Sequence, residues 1–160
     1  GITLLDGTLW MAVQREWGND PAGHVKLISY NLESEEWGAV HYPIATADTG
    51  WVGLSDIVAH GDQVYVVERD NQIGDAAKIK KIYSVPAAEM VPAAPGRELP
   101  VVTKTEVRDL IPDLKGWGGY VVDKVEGLAI TADGTFWVST DNDGTDDSSG
   151  ETFLWSFTQD

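Results

Sequence analysis

One pattern occurs three times along the chain and constrains the fold more than any other feature. Each copy starts with glycine and an apolar residue, runs through a short apolar segment to a tight turn, and returns in a second apolar segment. The copies occupy residues 1–13, 53–67 and 127–139. Two of the turns contain Asp-Gly and the other contains Gly-Asp. Asp-Gly between two apolar runs is typical of a β-hairpin, so each copy predicts a pair of antiparallel strands.

Further strand-like segments follow each hairpin. Residues 25–32 and 37–43 complete four strands in the first unit, residues 77–85 and 101–106 do so in the second, and residues 152–157 add a third strand to the last. A repeated four-stranded antiparallel unit is typical of a β-propeller, whose blades run about 40 to 50 residues before loop insertions.

The sequence therefore predicts an all-β fold. We expect a partial β-propeller of two to three four-stranded antiparallel blades in an incomplete ring, with blades at approximately residues 1–45, 53–106 and 126–158. An N-terminal part of the same propeller is expected to supply the missing blades as a partner. One short helix is predicted over residues 107–114, ending near Pro112.

Composition excludes several classes of function. The 160 residues carry a formal net charge of -15, which would repel nucleic acid and anionic membranes but permits a cation-binding surface or serves solubility alone. No apolar run approaches the roughly 18 residues of a membrane-spanning helix, so no membrane span is expected. The chain has no cysteine, which excludes disulfides and thiolate metal sites.

Polar residues recur where the inner strand of each unit begins and where its neighbour ends. Antiparallel neighbours bring these two points together, so such residues are expected to share one end of the propeller. A ligand site and ordinary turn chemistry both fit this placement. The candidates are Arg15 in the first unit, Glu68, Arg69 and Asp70 in the second, and Asp123, Lys124, Glu126, Asp141 and Asp143 in the third.

Two of these positions point to a bound cation. Glu126 precedes a strand expected to be buried, where a carboxylate needs a cation or hydrogen-bond donors. The acidic segment 141–147 offers the clustered oxygen ligands that calcium prefers. Its register is not that of an EF-hand, because Asp146 stands at the sixth position and Thr152 at the twelfth. A solvated loop is the alternative.

Several motifs resemble the C-terminal part of the phytase-like family, described as having "esterase-like activity of phytase". The resemblance lies in residues 6–18, 67–71, 77–83, 123–129, 141–144 and 148–152. It implies a bacterial, usually exported propeller, and hence a periplasmic or extracellular location. The family description also implies phosphoester hydrolysis, assisted by calcium as in propeller phytases, on a small anionic or phosphorylated substrate.

Two interpretations follow. In the first, the protein is a metal-dependent phosphoester hydrolase: calcium is the cofactor, held by Glu68, Asp70, Glu126, Asp141 and Asp143, and Arg15, Arg69 and Lys124 are the catalytic cations that neutralise phosphate charge. In the second, the protein is a non-catalytic propeller that binds a ligand or a protein partner, and the same charges form salt bridges with one another.

Overall fold

A computed structural model describes residues 1–142 and 152–159 of the chain. Eleven strands in this part form three antiparallel sheets, each built from strands that are consecutive in sequence. The first sheet consists of β1 (Ile2–Leu5), β2 (Thr8–Ala12), β3 (His24–Asn31) and β4 (Trp37–Pro43). Its first turn has the chemistry expected from sequence, because Asp6 and Gly7 both have positive φ (46° and 76°), as the tight hairpin turn requires.

The other two sheets repeat this arrangement. The second consists of β5 (Val52–His60), β6 (Gln63–Asp70), β7 (Lys80–Pro86) and β8 (Thr105–Asp109). The third consists of β9 (Val125–Ile130), β10 (Phe136–Thr140) and β11 (Leu154–Phe157). A single α-helix, α1 (Ile111–Gly118), connects β8 to β9 within the described residues.

The inner strands of the three sheets lie side by side. Thr3 Oγ1 in β1 accepts a hydrogen bond from the Ala59 N–H in β5 at 2.9 Å. Asp56 Oδ2 in β5 accepts one from the Leu128 N–H in β9 at 2.8 Å. The described strands form no closed ring, and their arrangement is consistent with part of a β-propeller. The predicted all-β fold of antiparallel sheets is confirmed.

The second sheet lies between the other two and is buried on both faces. Alternate residues of a strand point to opposite faces, and β6 uses both for packing. Val64 and Val66 belong to the core shared with the first sheet, whereas Tyr65 and Val67 belong to the core shared with the third. The first sheet exposes apolar side chains at Ile2, Leu4 and Trp37.

The helix predicted between β7 and β9 was placed too early in the sequence. Residues 107–109 continue strand β8, and the helix begins at Ile111. Pro112 lies in the first turn of α1, where its missing N–H removes no helical hydrogen bond, so it starts the helix instead of ending it. The helix ends at Gly118 and is capped by Gly119, whose φ of 73° suits glycine.

The predicted fourth strand over residues 101–106 was also misplaced. The segment before β8 crosses to the first sheet, where Ala93 bridges to Ala39 and Val101 bridges to His41. These bridges cover the backbone edge of β4, which would otherwise present unpaired N–H and C=O groups.

No helix in the described part of the chain is long and apolar enough to cross a membrane.

Candidate functional site

The strand pairing brings the predicted site residues to one end of the sheets. Gly53 at the start of β5 pairs with Arg69 at the end of β6. Val125 at the start of β9 pairs with Thr140 at the end of β10. Side chains from the second and third sheets therefore meet where the inner strands begin.

Arg69 is the centre of this end. Its guanidinium is only 2% exposed, and three of its nitrogens have partners on other segments. Nη1 lies 3.2 Å from Asp123 Oδ1, Nη2 lies 2.5 Å from Glu126 Oε1, and Nε donates to Ser55 Oγ at 3.2 Å. The ion pairs fix the position of two carboxylates, Asp123 just before β9 and Glu126 within it. We call Arg69, Asp70, Lys80, Asp123 and Glu126 the Arg69 cluster.

Lys80 is a second buried cation in the cluster. Its Nζ donates to the backbone oxygens of Asp70 and Asp123, both at 2.7 Å, and lies 3.0 Å from Asp70 Oδ1. Burial lowers the pKa of Lys80, and the charge of Asp70 offsets only part of this effect. The ammonium group therefore ties the second sheet to the segment that leads into β9.

The Asp70 carboxylate organises the loop between β6 and β7. It accepts the N–H groups of Lys78 at 2.7 Å, Ile79 at 2.8 Å and Gln72 at 3.2 Å. Burial raises the pKa of Asp70, but these backbone hydrogen bonds and the Lys80 charge outweigh it, so the pKa lies below its ordinary value.

Trp51 links the first sheet to the Arg69 cluster. The Cζ atoms of Arg15 and Arg69 lie over its ring, 4.9 Å and 5.0 Å from the centroid. Arg15 itself is exposed and belongs to the segment that follows β2. Within residues 1–142 and 152–159, no carboxylate forms an ion pair with Arg15.

Glu68 lies apart from the Arg69 cluster. Neighbouring residues of a strand point to opposite faces, so Glu68 and Arg69 lie on opposite faces of the second sheet. The Glu68 carboxylate is fully buried and accepts hydrogen bonds from Tyr42 Oη at 3.0 Å, Lys104 Nζ at 2.6 Å and the Ala45 N–H at 2.8 Å. Burial raises the pKa of Tyr42, and the negative charge of Glu68 raises it further.

The third sheet contributes the remaining predicted residues. The Asp141 N–H donates to the Lys124 backbone oxygen at 2.8 Å, which keeps exposed Asp141 beside the start of β9. Asp143 lies outside the described residues. Glu126 contacts Arg69 of the second sheet, as the salt-bridge interpretation predicts, and Asp123 contacts the same guanidinium.

The carboxylates described do not make a complete calcium site. Calcium takes six to eight oxygen ligands. Among residues 1–142 and 152–159, no three His, Asp or Glu side chains are grouped so that they could hold a metal ion. Asp123 Oδ2 and Glu126 Oε2 have no hydrogen-bond partner in this part of the chain, so each carboxylate retains one free oxygen.

A comparison with known protein families shows to which of them the chain belongs. A family model described as "Esterase-like activity of phytase" matches residues 1–144. The chain belongs to the phytase-like family. The resemblance seen in the sequence motifs is thereby confirmed, and the matched region contains the whole Arg69 cluster. No curated protein and no solved structure matches this phytase-like chain.

Sequence reasoning missed two residues that organise the site. Lys80 was predicted only as part of the strand over residues 77–85, yet its register opposite Arg69 places it at the charged end. Trp51 precedes the repeated glycine of the second unit, and only the fold brings it beneath two arginines.

Proposed function

We propose that this phytase-like protein is a phosphoester hydrolase whose substrate binds at the end of the sheets that carries the Arg69 cluster and Arg15. The observation that carries the proposal is the geometry around Arg69. A buried guanidinium orients Asp123 and Glu126, each with one oxygen that has no hydrogen-bond partner among the described residues, and the exposed Arg15 lies over the same Trp51 ring.

This arrangement provides the two requirements of phosphoester hydrolysis, charge neutralisation and an oriented base. Arg15 has guanidinium donors available for the phosphoryl oxygens. Glu126 is 30% exposed and fixed by Arg69, so its free oxygen can accept a proton from water that attacks phosphorus. The P–O bond to the leaving alkoxide then breaks, and the alkoxide takes a proton from solvent. Positioning and electrostatics supply most of the catalysis in phosphoryl transfer.

Calcium dependence is part of the proposal. Asp141 remains a candidate ligand, Asp123 joins it, and Asp143 stays a predicted ligand. Glu126, also predicted as a ligand, is the base in this proposal, because its one free oxygen among the described residues serves a single role. Glu68 and Asp70 contact Lys104 and Lys80, which supports structural roles for these two carboxylates. Bound calcium would supply charge neutralisation at the phosphoryl group. Lys124 stays a candidate for contact with the substrate.

Export to the periplasm or the extracellular space is also proposed, on the strength of the family resemblance alone. Fractionation of cells that express the complete protein tests it. Recovery in the cytoplasmic fraction would contradict this part of the proposal and leave the proposed chemistry unaffected.

Hydrolysis of p-nitrophenyl phosphate by the complete protein tests the proposed function. We expect turnover in calcium that a chelator abolishes, and a loss of about 100-fold or more in kcat for Glu126→Gln, since general bases contribute at least this much. Lys81→Gln is the matched control, because Lys81 pairs with Glu106 away from the cluster. Equal turnover in wild type, Glu126→Gln and Lys81→Gln would contradict the assignment.

A non-catalytic binding module is the second candidate. The observation that favours it is that both buried cations, Arg69 and Lys80, already have carboxylate partners within the protein, as in a structural salt-bridge network. A complete protein that binds inorganic phosphate with or without calcium, but hydrolyses no phosphoester, would establish this alternative.

A further inference from the structure

Trp51 has a fixed position between the first two sheets. Its backbone N–H donates to Asn71 Oδ1 at 2.9 Å, and its backbone oxygen accepts the Asn71 N–H at 3.1 Å. The indole also packs against the backbone of Gly53, where an added Cβ would lie 2.8 Å from Trp51 Cζ3. The ring is therefore held by the start of β5 and by the residue that follows β6.

The two guanidinium groups over this ring differ in what else they contact. Arg69 is buried and uses its nitrogens on Asp123, Glu126 and Ser55. For Arg15, the ring of Trp51 is the contact that the structure gives, at 4.9 Å. A cation over an aromatic face keeps its N–H groups available in the plane of the guanidinium.

We infer that Trp51 is a positioning residue, which holds the Arg15 guanidinium in place to bind the phosphate group of the substrate. This inference rests on the proposed phosphoester site and names the residue that prepares it. A free arginine side chain loses rotamer entropy when it binds a ligand, and a side chain already stacked on a ring loses less. Such preparation matters in a chain of net charge -15, which repels phosphate elsewhere.

Arg69 lies over the same ring, with its Cζ atom 5.0 Å from the centroid. Asp123 and Glu126 balance the positive charge of Arg69. Electrostatic repulsion between Arg69 and Arg15 is therefore reduced, and both guanidinium groups can lie over one ring. Arg15 therefore remains the guanidinium directed to a ligand, and Trp51 connects it to the fixed part of the site.

Steady-state kinetics on the complete protein test this inference with p-nitrophenyl phosphate. We expect Trp51→Leu to raise KM about two- to fivefold with kcat nearly unchanged, as loss of a cation–π contact implies. Arg15→Gln should raise KM about tenfold or more. The double variant should match Arg15→Gln, because Trp51 acts through Arg15. Trp51→Phe, which keeps an aromatic face, should lie close to wild type.

Trp17→Leu is the matched control. Trp17 is an exposed tryptophan with a cation over its ring, Lys26 at 4.6 Å, outside the Arg69 cluster. The Trp17→Leu variant should have the KM of wild type. An unchanged KM in Trp51→Leu, or a double variant in which the two effects multiply, would overturn the inference. A merely structural role predicts a lower melting temperature and fewer active molecules at the wild-type KM.

Calorimetric titration with inorganic phosphate separates this inference from the proposed hydrolysis. If the wild type turns over no substrate but binds phosphate, weaker binding by Trp51→Leu and Arg15→Gln supports the positioning role without catalysis. Equal phosphate binding by the wild type and both variants would overturn it even if the protein is a hydrolase.

Discussion

Arg69 Nη2 lies 2.5 Å from Glu126 Oε1, and this ion pair joins strand β6 of the second sheet to strand β9 of the third. The two partners are unequally buried: the Arg69 side chain is 2% exposed and that of Glu126 is 30% exposed. The cation therefore belongs to the packed interior between two sheets, and the carboxylate faces the solvent. Such a pair both stabilises the contact between the sheets and presents an oriented oxygen.

Replacement of Arg69 by methionine should destabilise the fold. The change leaves the Glu126 carboxylate without its cation, and leaves the Asp123 carboxylate, which is 17% exposed, with only Lys80 Nζ at 3.7 Å. Loss of one partner of a buried pair costs about 3 to 5 kcal/mol, and partial exposure of these carboxylates reduces the expected loss to about 2 kcal/mol. Urea denaturation of the complete protein measures the difference in free energy of unfolding.

Arg15→Met is the matched control for this measurement, since Arg15 lies over the same ring but is exposed. Its effect on the free energy of unfolding should stay within about 1 kcal/mol, the range of an exposed cation–π contact. Equal losses for Arg15→Met and Arg69→Met would show that the ion pairs of Arg69 do not stabilise the contact between the sheets.

The buried Glu68 offers a second test in which one type of ion pair occurs in two environments. The Glu68 carboxylate is 0% exposed and paired with Lys104, whereas the Glu106 carboxylate is 46% exposed and paired with Lys81. Lys104→Met should cost about 3 kcal/mol, because it leaves a buried charge with Tyr42 Oη and one backbone N–H. Lys81→Met should cost about 0.5 kcal/mol or less. Thermal or urea denaturation that gives the opposite order would contradict the structural role of Glu68.

The sequence predicted the features that depend on local chemistry. The Asp6-Gly7 turn, the glycines Gly53 and Gly127 near the starts of the inner strands, and the antiparallel order of the strands all follow from residue types and spacing. The convergence of Arg69 with Glu126 followed from antiparallel pairing, which brings the beginning of one strand to the end of its neighbour.

Other features depended on contacts between distant segments, which a single sequence does not reveal. The grouping of Glu68 with Arg69 ignored the alternation of side chains along β6, and that signal was available once the strand extended to Asp70. Tyr42 and Lys104 come from other segments, so no spacing in the sequence indicated their contact with Glu68. The start of α1 was misplaced because Pro112 was taken as the end of a helix.

The pKa of Asp70 predicts how stability depends on pH. Its pKa in the folded state lies below the ordinary value of 3.8, so the folded state favours the ionised carboxylate. This contribution to stability is fully present above the pKa of the unfolded chain and is lost as pH falls through the folded-state pKa. Asp70→Asn should therefore be less stable than wild type at pH 7, and the difference should shrink as the pH falls below 3.8. Denaturation curves from pH 7 to pH 2 measure this difference in stability between wild type and Asp70→Asn. A difference that is independent of pH would contradict a stabilising role of the Asp70 charge.

Substitution of Gly53 tests whether the packing that holds the Trp51 ring in place also holds Arg15 in the position that binds substrate. An added Cβ would lie 2.8 Å from Trp51 Cζ3 and 2.9 Å from the Gln14 backbone oxygen, and the latter accepts the Leu54 N–H at 3.0 Å. The ring, or the hydrogen bond between the first two sheets, must then shift. Overpacking of this kind costs about 1 to 3 kcal/mol, so Gly53→Ala should lower the free energy of unfolding by that amount.

Gly116 provides the comparison, because it lies within α1 and an added Cβ meets nothing within 4 Å. Gly116→Ala should leave stability unchanged or raise it by up to about 1 kcal/mol, since alanine favours the helix. If the indole shifts in Gly53→Ala, the same variant should also raise KM for p-nitrophenyl phosphate, as Trp51→Leu does. A crystal structure of Gly53→Ala with a shifted indole, together with the KM of wild type, would mean that Arg15 reaches its ligand without support from the Trp51 ring.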